Sequence, residues 1–238
     1  MNPSEKSTVD EIRARFDNDV DRFSNLETGQ SATMDAPLVL DLITRVAAAH
    51  RPDAKDVLDI GCGAGNYTLK LLQRIAGMNC TLIDLSQPML DRARQRVSED
   101  GAQEITTIQG DIREVEIPDE TFDVVMAAAV LHHLRDDADW KHVFQKIYQA
   151  MRPGGIFLVS DLVTSDLPAA DQVQWKRYGE YLTNFRDDAY RQTVFDYIEK
   201  EDTPRSVLFQ VDVCRKVGFR QVEVLHLNSC FGAYCAVK

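Results

Sequence analysis

The fold of this chain is decided by the stretch Val57-Leu58-Asp59-Ile60-Gly61-Cys62-Gly63-Ala64-Gly65. Its apolar beginning predicts a buried strand, and its glycines predict a tight turn that lets a ligand approach the backbone. Asn66 stands where a dinucleotide-binding motif needs glycine, and the Gly-Lys-Ser/Thr of a P-loop is absent. The loop also lacks Lys and Arg, so it suits a cationic ligand better than a polyphosphate.

Short predicted strands alternate with predicted helices on both sides of this stretch, which indicates βαβ units and a doubly wound parallel sheet. Strands are predicted over 57–60, 80–84, 105–109, 122–127 and 156–161. Helices are predicted over 67–76, 88–98 and 140–151, and a turn over 153–155. The chain closes with a predicted helix over 207–216 and an antiparallel hairpin of strands 222–227 and 231–237, joined at Asn228-Ser229.

Two segments outside this pattern are predicted to be helical. Apolar residues spaced three or four apart predict one helix over 9–26, followed by a break at 27–31 and a second helix over 38–49. Residues 166–205, rich in aromatic and charged side chains, predict two helices broken near Asp187. We therefore expect an N-terminal helical cap over 1–50 and a ligand-binding domain over 51–238. Its helical insertion at about 166–205 is a structural cap, a substrate lid or both.

The composition is that of a globular protein, with 238 residues, 44% of them hydrophobic and 27% charged. No stretch approaches the roughly 18–20 apolar residues that span a bilayer, and the first thirty-five residues carry no apolar run of a signal peptide. The five cysteines include no C-x-x-C pair, so neither disulfides nor a metal site is predicted. Reduced thiols favour a cytoplasmic location.

The net charge of −11 is unevenly distributed along the chain. Residues 1–171 hold seventeen basic and twenty-nine acidic residues, whereas residues 172–238 hold ten basic and nine acidic ones. A nucleic-acid-binding protein usually presents a basic surface. The charge therefore disfavours a nucleic-acid substrate and favours a small molecule, while a local basic patch in the C-terminal part stays open.

Acidic residues follow the ends of three successive predicted strands. Asp59 precedes the glycine-rich turn, and Asp84 lies nineteen residues past Gly65, where a carboxylate can accept two hydrogen bonds from a ribose diol. Asp111 follows the third strand beside Ile112, a pair that can hold an adenine by its amino group and its ring. Any one of these acids also fits a helix cap or a loop, but their order along the sheet indicates an adenosyl ligand.

These motifs resemble those of the class I S-adenosylmethionine (SAM)-dependent methyltransferases over about residues 55–162. Also matching are Phe122-Asp123-Val124-Val125, Leu131-His132-His133-Leu134 and Met151-Arg152-Pro153-Gly154-Gly155. The resemblance implies a Rossmann-like seven-stranded sheet, parallel except for its last strand, with SAM as cofactor and S-adenosylhomocysteine (SAH) as product. The cofactor-binding residues that it implies are Asp59, Gly61, Cys62, Gly63, Gly65, Asp84, Leu85, Asp111, Ile112 and Ala127.

A narrower resemblance, to the carboxy-SAM synthase family of tRNA wobble-uridine modification, extends along the chain. It rests on Phe16-Asp17, Thr28-Gly29-Gln30-Ser31, Gly110-Asp111-Ile112-Arg113, Lys146-Ile147-Tyr148-Gln149, Gly218-Phe219 and the ending after Phe231-Gly232. It implies that Gln30 and Ala128 also lie near the cofactor. That family has an aromatic residue in place of Gln30 and a polar amide in place of Ala128. SAM and carboxy-SAM therefore both stay open as the cofactor.

The catalytic candidate is His132, which follows the fourth strand, where this fold presents its substrate. A histidine there can act as a general base near neutral pH. Cys62 is expected to pack within the loop rather than to act as a nucleophile, because the sulfonium of SAM already carries a leaving group. Four candidates for substrate contacts in the lid are Arg177, Tyr178, Tyr181 and Arg186.

Three functions follow from these observations. The first is methyl transfer from SAM to a small-molecule acceptor. The second is a carboxy-SAM synthase or a tRNA uridine-modifying enzyme of the same fold, and the third is a non-catalytic SAM-binding protein. The apolar surface of the flanking helices also predicts a homodimer.

Overall fold

The computed structural model describes residues 6–25 and 30–238. Its strands are β1 (Asp56–Ile60), β2 (Asn79–Asp84), β3 (Ile105–Gln109), β4 (Phe122–Ala128), β5 (Met151–Leu162), β6 (Gln221–Asn228) and β7 (Phe231–Val237). They form one sheet in the order β3-β2-β1-β4-β5-β7-β6. Strands β1 to β5 pair in parallel, and β7 runs antiparallel to both of its neighbours. The predicted doubly wound sheet with an antiparallel last strand is confirmed.

The helices lie on both faces of this sheet and at the carboxyl end of its parallel strands. They are α1 (Val9–Asp17), α2 (Val20–Ser24), α3 (Ala36–His50), α4 (Asn66–Leu72), α5 (Gln87–Glu99), α6 (Asp137–Ala150), α7 (Pro168–Phe185), α8 (Asp188–Glu201) and α9 (Val207–Val217). Side chains of Ser86, Asp136 and Ser206 cap helices α5, α6 and α9 by accepting hydrogen bonds from backbone N–H groups. The break predicted near Asp187 is confirmed, since Asp187 is the N-cap of α8.

Three of the predicted element boundaries were wrong. The single helix predicted over 9–26 is two helices. Helix α1 ends at Asp17, and the N–H of its C-cap residue Asn18 donates to the carbonyls of Arg15 and Phe16. Leu26 and the predicted break at 27–29 lie outside the described residues. The helix predicted to reach residue 76 ends at Leu72, and Gly77, with φ of 70°, lies in the turn before β2.

The third wrong boundary lies where helix α6 meets strand β5. Met151 pairs with Phe122 and begins β5, so the helix ends at Ala150. The predicted turn 153–155 lies inside this strand, where the β4–β5 register shifts. A Cβ on Gly155 would lie 2.9 Å from a backbone oxygen, so only glycine fits this irregular part of the strand. The same glycine is what predicted a turn from the sequence.

Both faces of the sheet are buried, which explains why its central strands are continuous apolar runs. On one face, Trp140 and Phe144 of α6 pack against Phe157 of β5. On the other face, Ile43 of α3 packs in a cluster that includes Val124 of β4. The rings and aliphatic side chains of both clusters are almost fully excluded from water, so the sheet is a rigid support for the loops at its carboxyl edge.

A third apolar cluster lies over the carboxyl end of the strands and joins the two flanking segments. Tyr178 of α7 is buried there against Phe231, and its hydroxyl donates to the Ala32 carbonyl at 2.9 Å. Tyr181 donates to the Ser31 carbonyl at 2.8 Å. Helix α1 is tied to the end of α8 by three hydrogen bonds from Arg15 to the Glu201 carboxylate. The N-terminal helices and residues 166–205 thus form one covering layer.

Candidate active site

The glycine-rich loop between β1 and α4 is anchored to the end of the neighbouring strand β2. The N–H groups of Gly61 and Cys62 donate to the Ile83 carbonyl at 2.8 and 3.0 Å. The loop glycines Gly61, Gly63 and Gly65 have φ values of 66°, 50° and 82°, in the left-handed region that favours glycine. The tight turn predicted from the sequence therefore depends on these three residues.

The three glycines differ in what surrounds them. A Cβ on Gly61 would lie 2.6 Å from the Val130 side chain, and one on Gly65 would lie 3.3 Å from Ala93. A Cβ on Gly63 would meet nothing within 4 Å, and Gly63 lines a cavity. Gly61 and Gly65 therefore let protein elements pack together, whereas Gly63 leaves free space in front of the loop.

Asp84 at the end of β2 holds this loop from the opposite side. Its carboxylate accepts hydrogen bonds from the N–H groups of Gly63 and Ser86 at 2.8 and 2.9 Å. Burial raises the pKa of Asp84 despite these bonds. Each carboxylate oxygen has more than one acceptor site, so Asp84 can accept further hydrogen bonds from a ligand in the cavity.

Asp111, after β3, is held in a fork by the guanidinium of Arg113. The Arg113 Nε and Nη2 atoms donate to the two carboxylate oxygens at 3.0 and 2.5 Å. Burial raises the pKa of Asp111, but the bonds and charge of Arg113 outweigh it and lower that pKa. The Lys146 ammonium donates to the carbonyls of Ile112 and Val115, which fixes the turn that carries this pair.

A cavity of about 250 Å³ extends along the carboxyl ends of the strands. The predicted site residues that line it are Gln30, Gly61, Cys62, Gly63, Asp84, Leu85, Asp111, Ile112, Ala128, His132 and Tyr178. Predicted site residues outside its lining are Asp59, Gly65, Ala127, Arg177, Tyr181 and Arg186. The fold thus gathers most of the predicted cofactor residues around one space.

Asp59 lies behind the loop, where it is buried and accepts a 2.6 Å hydrogen bond from the Thr68 hydroxyl. Burial raises its pKa to about 7. Burial and the carboxylates of Asp84 and Asp59 raise the pKa of the Cys62 thiol, which keeps it in the unreactive thiol form. Ala127 lies in the core.

The four predicted lid contacts have different surroundings. Tyr178 lines the cavity. Tyr181 does not line it; it is half-buried, and its hydroxyl donates to the Ser31 carbonyl. Arg177 on α7 and Arg186, the residue that follows this helix, are exposed, and the Arg186 guanidinium lies over the Tyr190 ring. The covering segments instead contribute lining residues that sequence reasoning missed: Arg15, Phe16, Phe23, Tyr197, Ile198 and Asp202.

His132 lies at one end of the cavity between two buried carboxylates. Its Nδ1 lies 2.5 Å from Asp161 Oδ1, and its Nε2 lies 3.7 Å from Asp202 Oδ1. Burial lowers the pKa of His132, but Asp161 and Asp202 outweigh it and raise that pKa to about 9. Burial raises the pKa of Asp202, but the charge of His132 and the polar contact with His133 outweigh it and lower that pKa. The two carboxylates therefore favour the protonated imidazole.

Asp161 and Asp202 were not among the predicted site residues. Asp161 ends the predicted strand 156–161. An acidic residue at the end of a buried apolar run is the sequence feature that could have identified it as a site residue. Asp202 lies in the lid segment with no motif around it. Its position depends on Thr203, whose N–H and hydroxyl bond to the carbonyls of His132 and Leu134 at 2.7 and 2.6 Å.

Among the described residues, His132, His133 and Asp202 offer three ligand atoms within 4.8 Å of one another. These are residue types that bind metal ions, whereas the sequence predicted no metal site. Binding a metal ion requires neutral histidine. The carboxylates that raise the pKa of His132 favour its protonated form instead.

Comparisons with known proteins agree with this geometry. Residues 57–155 match the family profile described as "Methyltransferase domain". The putative methyltransferase YqeM of Bacillus subtilis is 34% identical over 119 residues, and the match covers 50% of this chain and 47% of YqeM. The carboxy-S-adenosyl-L-methionine synthase of Wolinella succinogenes is 28% identical over 210 residues, with 84% of each chain covered.

Solved structures share the fold at lower identity. Human N-acetylserotonin methyltransferase in complex with SAM superposes with a TM-score of 0.61 at 18% identity, over 95% of this chain and 56% of that one. The DhpI–SAH complex gives 0.62 at 16% identity, over 96% and 95% of the two chains. The chain thus spans about half the length of YqeM and of the human enzyme, but most of the synthase and of DhpI. Among the described helices, none is long and apolar enough to cross a membrane.

Proposed function

From its membership of the class I SAM-dependent methyltransferase family, we propose that this enzyme transfers the methyl group of SAM to a small-molecule acceptor. The observation that carries the proposal is the cavity at the carboxyl ends of the strands, with Gly63, Asp84 and Ile112 in its wall. Bound SAM supplies an electrophilic methyl group on a sulfonium. The protein has to bind and align the reactants, exclude water and manage one proton.

The residues of the cavity fit an adenosyl cofactor. The free space in front of Gly63 admits the methionine part, and Asp84 accepts hydrogen bonds from the ribose. Asp111 and Ile112 hold the adenine, while Asp59, Gly65 and Ala127 support the loop and the sheet behind it. Gln30 Oε1 is buried without a hydrogen-bond partner at the cavity, which supports a contact to a donor group of the cofactor.

We place the acceptor between the covering segments and His132. Phe16, Phe23 and Tyr197 line the cavity together with His132, so aromatic side chains adjoin its charged end. Incubation with SAM labelled in its methyl group and a panel of small hydroxyl, amine and thiol compounds tests this placement. We expect label to appear in at least one compound, and a complete lack of transfer would favour a non-catalytic SAM-binding protein.

The carboxy-SAM synthase of Wolinella succinogenes, aligned over 84% of this chain, makes that activity the second candidate. Gln30 and Ala128 favour SAM itself, because both line the cavity and both differ from the synthase pattern. Mass spectrometry of the ligand that copurifies with the enzyme separates the two candidates. We expect SAM or SAH, whereas a carboxylated cofactor would transfer the proposal to the synthase.

The covering layer is proposed to act as a lid over the bound reactants. Residues 9–25 and 30–35 and helices α7 and α8 meet above the cavity, and Tyr178 links them through Ala32. Gly29, in the predicted break between these segments and the sheet, lies outside the described residues. Addition of SAH is expected to slow amide hydrogen exchange in both segments as well as in residues 57–130. Protection confined to residues 57–130 would mean that the covering layer is purely structural.

We further propose a cytoplasmic homodimer, and the net charge of −11 disfavours tRNA as its substrate. All five cysteines are free and buried, which supports a reducing compartment. Leu167, Val173 and Phe185 of the α7 region are more than half exposed, which supports an apolar contact between two copies. Light scattering at micromolar concentration should give twice the chain mass of 26.9 kDa. The monomer mass would contradict the dimer.

A further inference from the structure

We propose that His132, His133 and Asp202 form a binding site for a divalent transition-metal ion such as Zn²⁺ at the acceptor end of the cavity. The inference goes beyond the proposed methyl transfer, because binding of the ion can be measured with neither SAM nor an acceptor present. The geometry that carries it is a pair of imidazoles and a buried carboxylate around one space, with a second carboxylate behind one of the imidazoles.

The separations between the ligand atoms are close to those around a metal ion. Asp202 Oδ1 lies 3.2 Å from His133 Nδ1 and 3.7 Å from His132 Nε2, and all three residues offer ligand atoms within 4.8 Å of one another. Ligand atoms bound at about 2.0–2.2 Å in a tetrahedral site lie about 3.4 Å apart. The carboxylate oxygen already meets this spacing, and small rotations of the two imidazole rings bring their nitrogens together.

Two of these ligand atoms lack a hydrogen-bond partner. Asp202 is only 5% exposed, and its Oδ1 is buried without a partner, as is His133 Nδ1. The two atoms are close, but they do not meet in hydrogen-bond geometry. Buried polar atoms are nearly always satisfied. A metal ion between the oxygen and the nitrogen satisfies both at once.

The third ligand, His132, is oriented by a carboxylate in the manner of metal-binding histidines. Asp161 Oδ1 lies 2.5 Å from Nδ1 and also accepts the Leu162 N–H at 3.0 Å, so the carboxylate is itself held in place. With Nδ1 occupied, Nε2 is the nitrogen that faces Asp202. Histidines that bind metals usually donate their other N–H to a carboxylate or carbonyl, which fixes the ring and strengthens the ligand.

The charge around the site suits a doubly charged cation. Asp161 and Asp202 are 3% and 5% exposed, so two negative charges are buried beside the His132 ring. The nearby Arg15 guanidinium is bound to the Glu201 carboxylate. Without a metal, a proton on His132 balances one of the two charges. A divalent ion replaces that proton and balances both, so its binding releases a proton.

The donor set indicates which ions fit and what the site leaves open. Imidazole nitrogens favour Zn²⁺ and its transition-metal neighbours, whereas Mg²⁺ and Ca²⁺ prefer oxygen alone. Three protein ligands leave a fourth position for water or substrate. All three residues line the cavity, so this position faces the space where we place the acceptor. An ion on Nε2 makes His132 a ligand rather than a general base.

The ligands come from two parts of the fold that already contact each other. The histidines follow β4, whereas Asp202 follows α8 in the covering layer. Thr203 holds Asp202 against the turn at 131–134 through its bonds to the carbonyls of His132 and Leu134. The site is therefore largely formed before the ion arrives, and the ion cross-links the covering layer to the sheet.

Calorimetric titration of the chelator-treated enzyme with Zn²⁺ tests the site, at about pH 8 to limit competition from protons. We expect one ion per chain with a Kd of about 1 μM or below. His133→Gln and Asp202→Asn should each weaken binding by at least about tenfold, and Asp161→Asn by about tenfold through His132. Equal Zn²⁺ affinity in the native enzyme and Asp202→Asn would overturn the inference.

The matched control is His226→Gln. His226 Nε2 lies 3.1 Å from Asp35 Oδ2, a similar contact, but within the described part of the chain this pair belongs to no group of three ligands. The variant should bind Zn²⁺ as the native enzyme does. A loss as large as that in His133→Gln would mean that the calorimetry reports surface histidines, and the inference would fail.

Co²⁺ in place of Zn²⁺ shows which atoms bind, because cobalt in such a site absorbs visible light. We expect visible bands that His133→Gln and Asp202→Asn remove. Strong near-ultraviolet absorption from sulfur-to-cobalt charge transfer would assign the ion to the cysteines instead and overturn the inference. If a variant fails to fold, anomalous diffraction from native crystals soaked in Zn²⁺ decides: the ion must lie between His132, His133 and Asp202.

Hydrogen exchange and calorimetry with SAH complete the test. Zn²⁺ should slow amide exchange in residues 131–134 and 198–203 together, because the ion joins them. If the metal-free enzyme binds SAH but the native enzyme binds no Zn²⁺, only the inference is wrong. If it binds Zn²⁺ as described but not SAH, the proposed function is wrong and the metal site stands.

Discussion

Replacing Gly63 with valine is expected to abolish SAM binding, with the affinity for SAH falling by at least about a hundredfold. A Cβ added to Gly63 would have no protein atom within 4 Å, and Gly63 lines the cavity. The branched side chain of valine would therefore occupy space that the ligand needs. Isothermal titration calorimetry with SAH measures the loss.

The control for this variant is Gly77→Val, on the turn before β2, at the opposite end of that strand from Asp84 and outside the cavity lining. Gly77 has φ of 70° and equally open space, so valine there suffers similar backbone strain without meeting a ligand. Both variants should lose a similar amount of stability in thermal unfolding, and only Gly63→Val should lose SAH. Unchanged SAH affinity in Gly63→Val would move the cofactor site elsewhere.

Asp84→Ala is expected to weaken SAH binding by more than tenfold, about 1.4 kcal/mol or more. The substitution removes the acceptor of ribose hydrogen bonds, and bonds to a charged acceptor are stronger than neutral ones. It also releases the N–H groups of Gly63 and Ser86, which adds a loss of loop order.

Asp84→Asn separates these two effects, because the amide keeps one oxygen to accept from the loop but loses the charge. We expect its affinity for SAH to lie between those of the native enzyme and Asp84→Ala. Asp91→Ala, an exposed acid on α5, should bind SAH normally. An Asp84→Ala variant with native affinity would mean that Asp84 does not hold the ribose.

The central strands and the glycine-rich loop were predictable because each depends on a short run of residues. Val57 to Gly65 specifies a buried strand and a turn locally, and Asp84 and Asp111 follow from the order of strand ends. The break between α1 and α2 was missed because apolar spacing continues across Asn18 while the helix does not. The bulge at Gly155 was read as a turn because glycine and proline favour both structures.

The acceptor end of the site was less predictable because it is assembled from distant parts of the chain. His132 followed from its place after β4, but its partners Asp161 and Asp202 lie 29 and 70 residues away in sequence. Tyr178 and Arg177 are adjacent on α7, yet only the first reaches the cavity. Which face of a helix covers a site depends on packing, here on the cluster around Phe231.

The central claim, that the cavity at the strand ends holds the methyl donor beside His132, is tested most directly by a crystal structure of the enzyme with SAH. The account predicts the ribose hydroxyls on the Asp84 carboxylate, the adenine against Ile112, and the thioether sulfur on the side of the cavity that His132 lines. SAH bound away from Asp84, or with its sulfur remote from His132, would contradict the account.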